Sequence, residues 1–266
     1  MLRLVKIEYL KLKSNRALWI LLGLYFLAIA SIAIGAGAFL DYLTGQGVDY
    51  RGINPSIFPI YDWEDIFHNL AYLASFFSVF PAFLLIISVS NEFTYKTHRQ
   101  NIIDGMSRTE FFLSKLSFAA FLALTSAAFI FLLGLVLGLI HSESSMSAFS
   151  NSLVFIPGHA FQLFCFFLFS ILLVMLIRRS GITIVLLLIY AIILEPIISA
   201  LLKWQVPELG VILPLDSISS LVRVPFSKYI LLQTQDYIAW LDILRSGAWG
   251  LLFTALIFLI LKKKDF

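Results

Sequence analysis

Residues 111–140 read FFLSKLSFAAFLALTSAAFIFLLGLVLGLI, a run of thirty residues in which Lys115 is the one charged side chain. As an α-helix this run would be about 45 Å long, whereas the hydrocarbon core of a bilayer is about 30 Å thick. A segment of this length and composition predicts a helix that crosses a membrane.

Five further stretches are long and apolar enough to do the same. The six predicted spans cover about residues 17–40, 66–90, 111–140, 153–177, 182–202 and 243–261. Pro81 should kink the second span, and proline within a span is tolerated because neighbouring helices can satisfy the freed backbone groups. The expected fold class is an all-α integral membrane protein with six transmembrane helices, and residues 1–266 form a single transmembrane domain.

The composition of the whole chain supports this fold class. Hydrophobic residues make up 60% of the chain and charged residues 13%, and the mean hydropathy is +0.94. Soluble domains are about 45–50% apolar and about 25% charged, so a soluble enzyme, a disordered chain and a disulfide scaffold are excluded. The single cysteine, Cys165, cannot form an internal disulfide and is expected to be a small buried hydrophobe. A net charge of +3 gives no argument for nucleic-acid binding.

The positions of the basic residues predict the orientation. If the N-terminus is cytoplasmic, the cytoplasmic segments hold 14 of the 19 Lys and Arg residues and the external segments hold 5. Because cytoplasmic segments are enriched in Lys and Arg, this asymmetry predicts that both termini are cytoplasmic.

The N-terminal segment, residues 1–16, reads MLRLVKIEYLKLKSNR. Its apolar residues recur at helical spacing between basic ones, which favours an amphipathic helix in the cytoplasmic interface, while a simple basic flank is the alternative. Ala36-Gly37-Ala38 is similar to a signal-peptide cleavage site. We expect a retained span, because the apolar run before it is longer than a signal core and follows a basic segment.

The loop after the second span, residues 91–115, reads NEFTYKTHRQNIIDGMSRTEFFLSK. Residues 97–103 are expected to form one short helix that ends at Asp104-Gly105, and Ser107 or Thr109 is expected to cap the third span. A short helix on the cytoplasmic face of the membrane is a natural docking site for a soluble partner.

The segment between the fifth and sixth spans contains two apolar pieces, residues 206–215 and 218–224, separated and flanked by prolines. Both pieces are too short to cross a bilayer. They are typical of re-entrant or interfacial helices that are buried against other spans, and Asp216 or Ser217 is a candidate cap for the second piece.

The sequence carries no recognisable catalytic or metal-binding constellation. It has no G-x-x-x-x-G-K-[ST], H-E-x-x-H or G-x-S-x-G motif, and its four histidines are scattered over different segments. We therefore expect no catalytic residue, cofactor or metal in this chain. Glu195 is an acid within the fifth span, and two roles stay open for it: a place on a transport pathway, or a hydrogen bond to backbone freed by Pro196 or to a neighbouring helix.

Taken together, these segments resemble the permease subunit of ABC transporters of the type-2 export class. The resemblance covers nearly the whole chain and rests on the six spans, the basic segment Val5–Leu12 and the polar loop after span two. The family pattern in that loop is an acid, a Thr-rich turn, a small-polar/Arg pair and a Lys that opens span three. The matching positions here are Glu92, Thr97, Ser107, Arg108 and Lys115.

The resemblance implies that residues 97–108 form a coupling helix that docks on a separate ATPase chain. The implied interface residues are Glu92, Thr97, Arg99, Asp104, Ser107 and Arg108. It also implies two ATPase subunits that bind ATP and Mg²⁺, a second permease copy or paralogue, re-entrant outer helices between spans five and six, and a bacterial-type inner membrane. The alternative is a stand-alone ion-coupled carrier or a structural membrane subunit, which more charge within the spans or internal repeats would favour.

Overall fold

The computed structural model describes residues 13, 16–46, 60–142, 148–206, 212–225 and 235–263. The amphipathic helix expected in residues 1–16 lies almost entirely outside the described residues. The described part of the chain is helical and contains no strand.

The described part of the chain contains eleven α-helices and one π-helical segment. In chain order they are α1 (Arg16–Gly45), α2 (Ile66–Phe76), α3 (Val79–Thr94), α4 (Thr97–Ile103), α5 (Arg108–His141), α6 (Phe149–Ser152), α7 (Phe155–Ile177), α8 (Ser180–Leu188), a π-helical segment (Ile189–Leu194), α9 (Glu195–Gln205), α10 (Pro214–Ser219) and α11 (Trp240–Lys263).

Five helical stretches in the described residues are long and apolar enough to cross a membrane, and α2 with α3 adds a sixth if the bent pair is one span. The five are α1, α5, α6 with α7, α8 to α9, and α11. The prediction of an all-α membrane protein with several apolar spans is therefore confirmed.

The second apolar stretch is bent by 45° between α2 and α3, at Phe77 and Ser78. Pro81 is the third residue of α3, where a backbone N–H has no partner within the helix, so its missing donor is tolerated. Because Pro81 has no amide hydrogen, the carbonyl of Phe77, four residues earlier, does not receive the usual helical hydrogen bond, and the regular helix is interrupted there. The predicted kink is confirmed and lies just before the proline.

The central helix of the bundle is α7. It packs against α2, α3, α5 and α11, and about two thirds of the apolar stretch that contains it is buried within the chain. The stretch from α8 to α9 is only 17% buried and presents a wide apolar face to the exterior. Such a face is expected where a helix contacts lipid.

Helices α2 and α5 approach closely at two glycines of α5. A Cβ atom at Gly134 would lie 2.6 Å from the ring of Phe67, and one at Gly138 would lie 2.6 Å from the ring of Trp63. Small residues at helix contacts allow this approach in membranes.

Gly134→Leu should lower the free energy of unfolding of the purified protein by about 1–3 kcal/mol, since the new side chain has no room beside Phe67. Gly23→Leu is the matched control, because nothing lies within 4 Å of a Cβ atom at Gly23 on α1. The measurement is the unfolding midpoint of both variants in one detergent. Equal midpoints would contradict the close packing of α2 on α5.

Two helices are longer than the apolar runs that predict them. Helix α5 begins at Arg108 and α11 begins at Trp240, so Lys115 and Asp242 lie inside these helices and are buried. Lys115 ends the predicted loop 91–115, and Asp242 directly precedes the predicted sixth span, which was expected to begin at residue 243. Glu195 is therefore not the only ionisable residue within the long helices.

The two ends of the bundle differ in charge. The end of α3, the start of α5 and the ends of α7 and α11 meet at one end, which we call the basic end after Arg108, Arg178, Arg179 and Lys262. The start of α2, α10 and the start of α11 meet at the other end, which we call the opposite end.

Candidate functional site

Helix α4 lies at the basic end, between α3 and α5. It runs over Thr97–Ile103, as predicted, and a left-handed residue lies on each side of it: Lys96 with φ 55° and Gly105 with φ 96°. The amide of Met106 donates to the carbonyl of Asn101 at 2.9 Å, the bond that ends a helix around a left-handed glycine. The predicted end of the helix at Asp104-Gly105 is confirmed.

Helix α4 and its neighbours are exposed. Tyr95, just before α4, and Ile103, its last residue, are 73% and 77% exposed. Thr97 and Asp104 are exposed as well, and Asp104 accepts a hydrogen bond from the Gln100 side chain at 3.0 Å. Arg99 lies in the middle of the helix, and its side chain is outside the described part of the structure.

Ser107 begins α5 with a capping box. Its side chain accepts a hydrogen bond from the Glu110 amide at 3.1 Å, and its own amide donates to the Glu110 carboxylate at 2.8 Å. Of the two predicted caps of the third span, Ser107 and Thr109, the structure has Ser107. Arg108 then donates to the carbonyl of Lys262 at 3.0 Å, in the last turn of α11, where carbonyls have no partner within the helix.

Glu92, near the end of α3, points into the protein. Its carboxylate lies 2.7 Å from Lys115 Nζ on α5, and the two side chains are 6% and 2% exposed. The ammonium group also lies 5.1 Å from the ring centroid of Phe111. Glu92 therefore does not share the exposed surface of Thr97 and Asp104 but joins α3 to α5 beneath it.

A third contact joins this region to α7. The guanidinium of Arg178 lies 5.0 Å from the ring centroid of Phe93, and Arg178 ends α7 in a left-handed conformation with φ 59°. This contact was not predicted from the sequence, in which Arg178 is one of the basic residues at a span end. No local pattern connects it with Phe93.

Three contacts therefore join α3 and α5, the helices on either side of α4, to each other and to two further long helices. They are Glu92 with Lys115 (α3 to α5), Phe93 with Arg178 (α3 to α7) and Arg108 with the carbonyl of Lys262 (α5 to α11). We call them the three brace contacts.

At the opposite end, Glu195 begins α9 directly after the π-helical segment and is 3% exposed. Its Oε1 accepts a hydrogen bond from the amide of Asp216 at 2.7 Å, in the first turn of α10. A carboxylate at this position satisfies a free amide and the positive end of the helix. The structure thus gives Glu195 a hydrogen bond to a neighbouring helix, one of the two roles left open above.

Helix α10 is short and is held by the long helices around it. The carbonyls of Ser217 and Ile212 accept hydrogen bonds from Ser246 and Trp249 of α11, at 2.7 and 2.8 Å. The helix begins at Pro214, which suits a first helical position, so the expected cap at Asp216 or Ser217 is wrong. It spans parts of both apolar pieces predicted from the sequence, and residues 207–211 lie outside the described part.

The chain after α10 is held as well. The Arg223 side chain pairs with Asp242 of α11 at 2.7 Å, and the Arg223 carbonyl lies 2.9 Å from Nε2 of His68 on α2. Together with the contacts of α10, these bonds join α2, α9 and α11 at the opposite end.

A buried polar chain joins three helices in the interior. The hydroxyl groups of Tyr25 on α1 and Ser126 on α5 are 2.5 Å apart, and Ser126 lies 3.0 Å from Nε2 of His159 on α7. All three residues are buried. The only sequence signal for these hydrogen bonds is that each residue is an isolated polar residue in an apolar run. That signal does not indicate which of the polar residues contact one another.

A comparison with protein-family models places this arrangement in a known family. The model described as "ABC-2 family transporter protein" matches residues 4–194, which include α1 to α8 and the π-helical segment. No curated protein shows significant similarity to the chain. Since the match covers well over half of the sequence, the chain belongs to the ABC-2 transporter permease family and is a membrane subunit of a transporter.

Proposed function

We propose that this chain is the permease subunit of an ATP-driven exporter. In this proposal two such permeases, identical or paralogous, form the translocation path, and two separate ATPase chains bind ATP and Mg²⁺ and supply the energy. The observation that carries the proposal is the position of α4, an exposed helix at the basic end that connects α3 to α5, the two helices that the three brace contacts join to each other and to α7 and α11.

The exposed residues of the α4 region would form the docking surface. Thr97, Arg99 and Asp104 lie on this short helix or at its end, and Ile103 adds an apolar contact. Glu92, Ser107 and Arg108 have a different role in this proposal. They fix the two ends of the loop to α5 and α11, so that the surface moves with the bundle.

The length of α4 supports this division of roles. A helix of seven residues is too short to be stable alone in water, so its position depends on the contacts at its two ends. ATP binding would draw the two ATPase chains together, and the movement would pass through α4 into α3 and α5. The path would then open at the opposite end, where α10 and its neighbours close it.

The proposed orientation follows from the charges. The basic end would face the cytoplasm of a bacterial-type inner membrane with both termini on that side, because basic residues near span ends are retained there. The ATPase chains, which need cytoplasmic ATP, would then meet α4 on the correct side.

Purification of the full chain from its native membranes tests the proposal. We expect it to retain an ATP-hydrolysing chain with a phosphate-binding loop, in equal amounts, and we expect vesicles that contain the complex to export only when ATP is present. Recovery of the folded permease without such a chain, together with transport driven by an ion gradient alone, would contradict it in favour of a stand-alone carrier.

A further inference from the structure

Three clefts meet around α10, and Ser219 lines all of them. The polar cleft, of about 190 Å³, lies between α9 and α10 and is lined by Glu195, Ser199 and Asp216 among others. The apolar cleft, of about 530 Å³, lies between α2, α7 and α10. The third, of about 500 Å³, contains Lys203 and Arg223.

The polar and apolar clefts are continuous. They share Ala191, Leu215 and Ser219 as lining residues. The aromatic residues Phe76 and Phe166 line the apolar cleft. A molecule with one polar group and an apolar body could therefore occupy both clefts at once.

Glu195 brings a carboxylate into the polar cleft. Its Oε1 is occupied by the amide of Asp216, whereas its Oε2 is buried and has no hydrogen-bond partner of good geometry, although the Tyr190 hydroxyl lies near the carboxylate. An ionised carboxylate is costly in such a place unless a cation compensates it.

The basic residues that line the three clefts do not compensate Glu195. Lys203 is paired with Asp216 at 2.8 Å, and Arg223 is paired with Asp242 at 2.7 Å. Neither of these basic side chains is paired with Glu195, so its carboxylate is the acidic group at the junction of the clefts that a ligand with one positive charge would meet.

We propose that these clefts bind an amphiphile with an ammonium group. The ammonium group lies against the carboxylate of Glu195 in the polar cleft, and the apolar body of the ligand fills the apolar cleft. This inference rests on the proposed export function, for which it names the class of substrate. An ammonium group is favoured over a metal ion, because the described residues contain no group of three or more His, Cys, Asp or Glu side chains that could hold one.

Photolabelling of the purified chain in lipid nanodiscs tests the proposal. The probes are a diazirine-bearing dodecylammonium and the matched diazirine-bearing dodecanol, which has no charge. We expect the ammonium probe to label peptides that contain Phe166 or Ile218, and Glu195→Gln to reduce this labelling about tenfold while leaving the dodecanol labelling unchanged. Glu64→Gln, at an exposed acid outside the clefts, should change neither.

A second pair of variants keeps Glu195 in place. Ser219 is exposed and lines all three clefts, so Ser219→Lys brings a fixed ammonium group to the site, whereas Ser219→Met has a similar length and no charge. The lysine variant should lose labelling by the ammonium probe to a much greater extent than the methionine variant. This comparison decides the question if Glu195→Gln fails to fold.

Equal labelling of the wild-type chain by both probes, or ammonium labelling that neither Glu195→Gln nor Ser219→Lys reduces, would overturn the proposal and leave Glu195 as a cap of α10. The export function is judged separately by the retention of an ATPase. A complex that retains the ATPase but shows no preference for the ammonium probe would disprove the substrate class alone.

Discussion

Lys115→Met should destabilise the folded protein by about 3–5 kcal/mol, on the order of 10 °C in the unfolding midpoint. The reason is the carboxylate of Glu92, which lies 2.7 Å from Lys115 Nζ and is 6% exposed, and which the substitution leaves buried without its cation. Breaking a buried ion pair on one side is far more costly than removing both partners. The measurement is thermal unfolding of the purified variant, with expression level as a second readout.

The double variant Glu92→Gln with Lys115→Met is the control. It removes both charges and retains side chains of similar length, so it should recover most of the lost stability. A double variant as unstable as Lys115→Met would contradict the account, since it would indicate that packing rather than the lost cation causes the effect.

Arg99→Glu together with Arg108→Glu should uncouple ATP hydrolysis from transport. Arg99 lies on the proposed docking helix and Arg108 fixes the end of the loop to α11. The double variant therefore reverses a docking charge and also breaks one brace contact. In vesicles that contain the complete transporter, we expect ATP hydrolysis to continue or to become independent of substrate while export falls to background. Unchanged binding of the ATPase and unchanged export would contradict the assignment of this loop.

Two single variants separate docking from bracing. Arg108→Gln removes the guanidinium that bonds the Lys262 carbonyl without adding a negative charge, so its effect measures the brace contact alone. Arg179→Glu makes the same charge reversal at an exposed basic residue outside the loop and should leave coupling intact. If Arg179→Glu uncoupled transport as strongly, the general charge of the basic end would be responsible.

The spans and the short helix α4 could be predicted from the sequence because their signals are local. A bilayer requires about twenty apolar residues in a row, and Gly105 and Ser107 mark the end of one helix and the start of the next within a few residues. The bend before Pro81 is local in the same sense, since it follows from one missing amide.

The contacts that make up the candidate site could not be predicted, because each joins residues distant in sequence. Lys115 lies within the predicted third span and Asp242 just before the predicted sixth, and nothing near either residue in the sequence indicated that Glu92 and Arg223 would be their partners. The bond of Glu195 to α10 likewise depends on how α9 and α10 pack.

Cross-linking from Ile103 tests the central claim, that α4 is the site where a separate ATPase drives this permease. Ile103 is 77% exposed, and with Cys165→Ala the variant Ile103→Cys carries a single thiol for a photoreactive maleimide. Trp204→Cys, at a residue that is 85% exposed near the opposite end, is the control. We predict that illumination of the complex joins the ATPase to residue 103 and not to residue 204. An ATPase that copurifies but is not cross-linked from residue 103, or is cross-linked equally from both positions, would contradict the account.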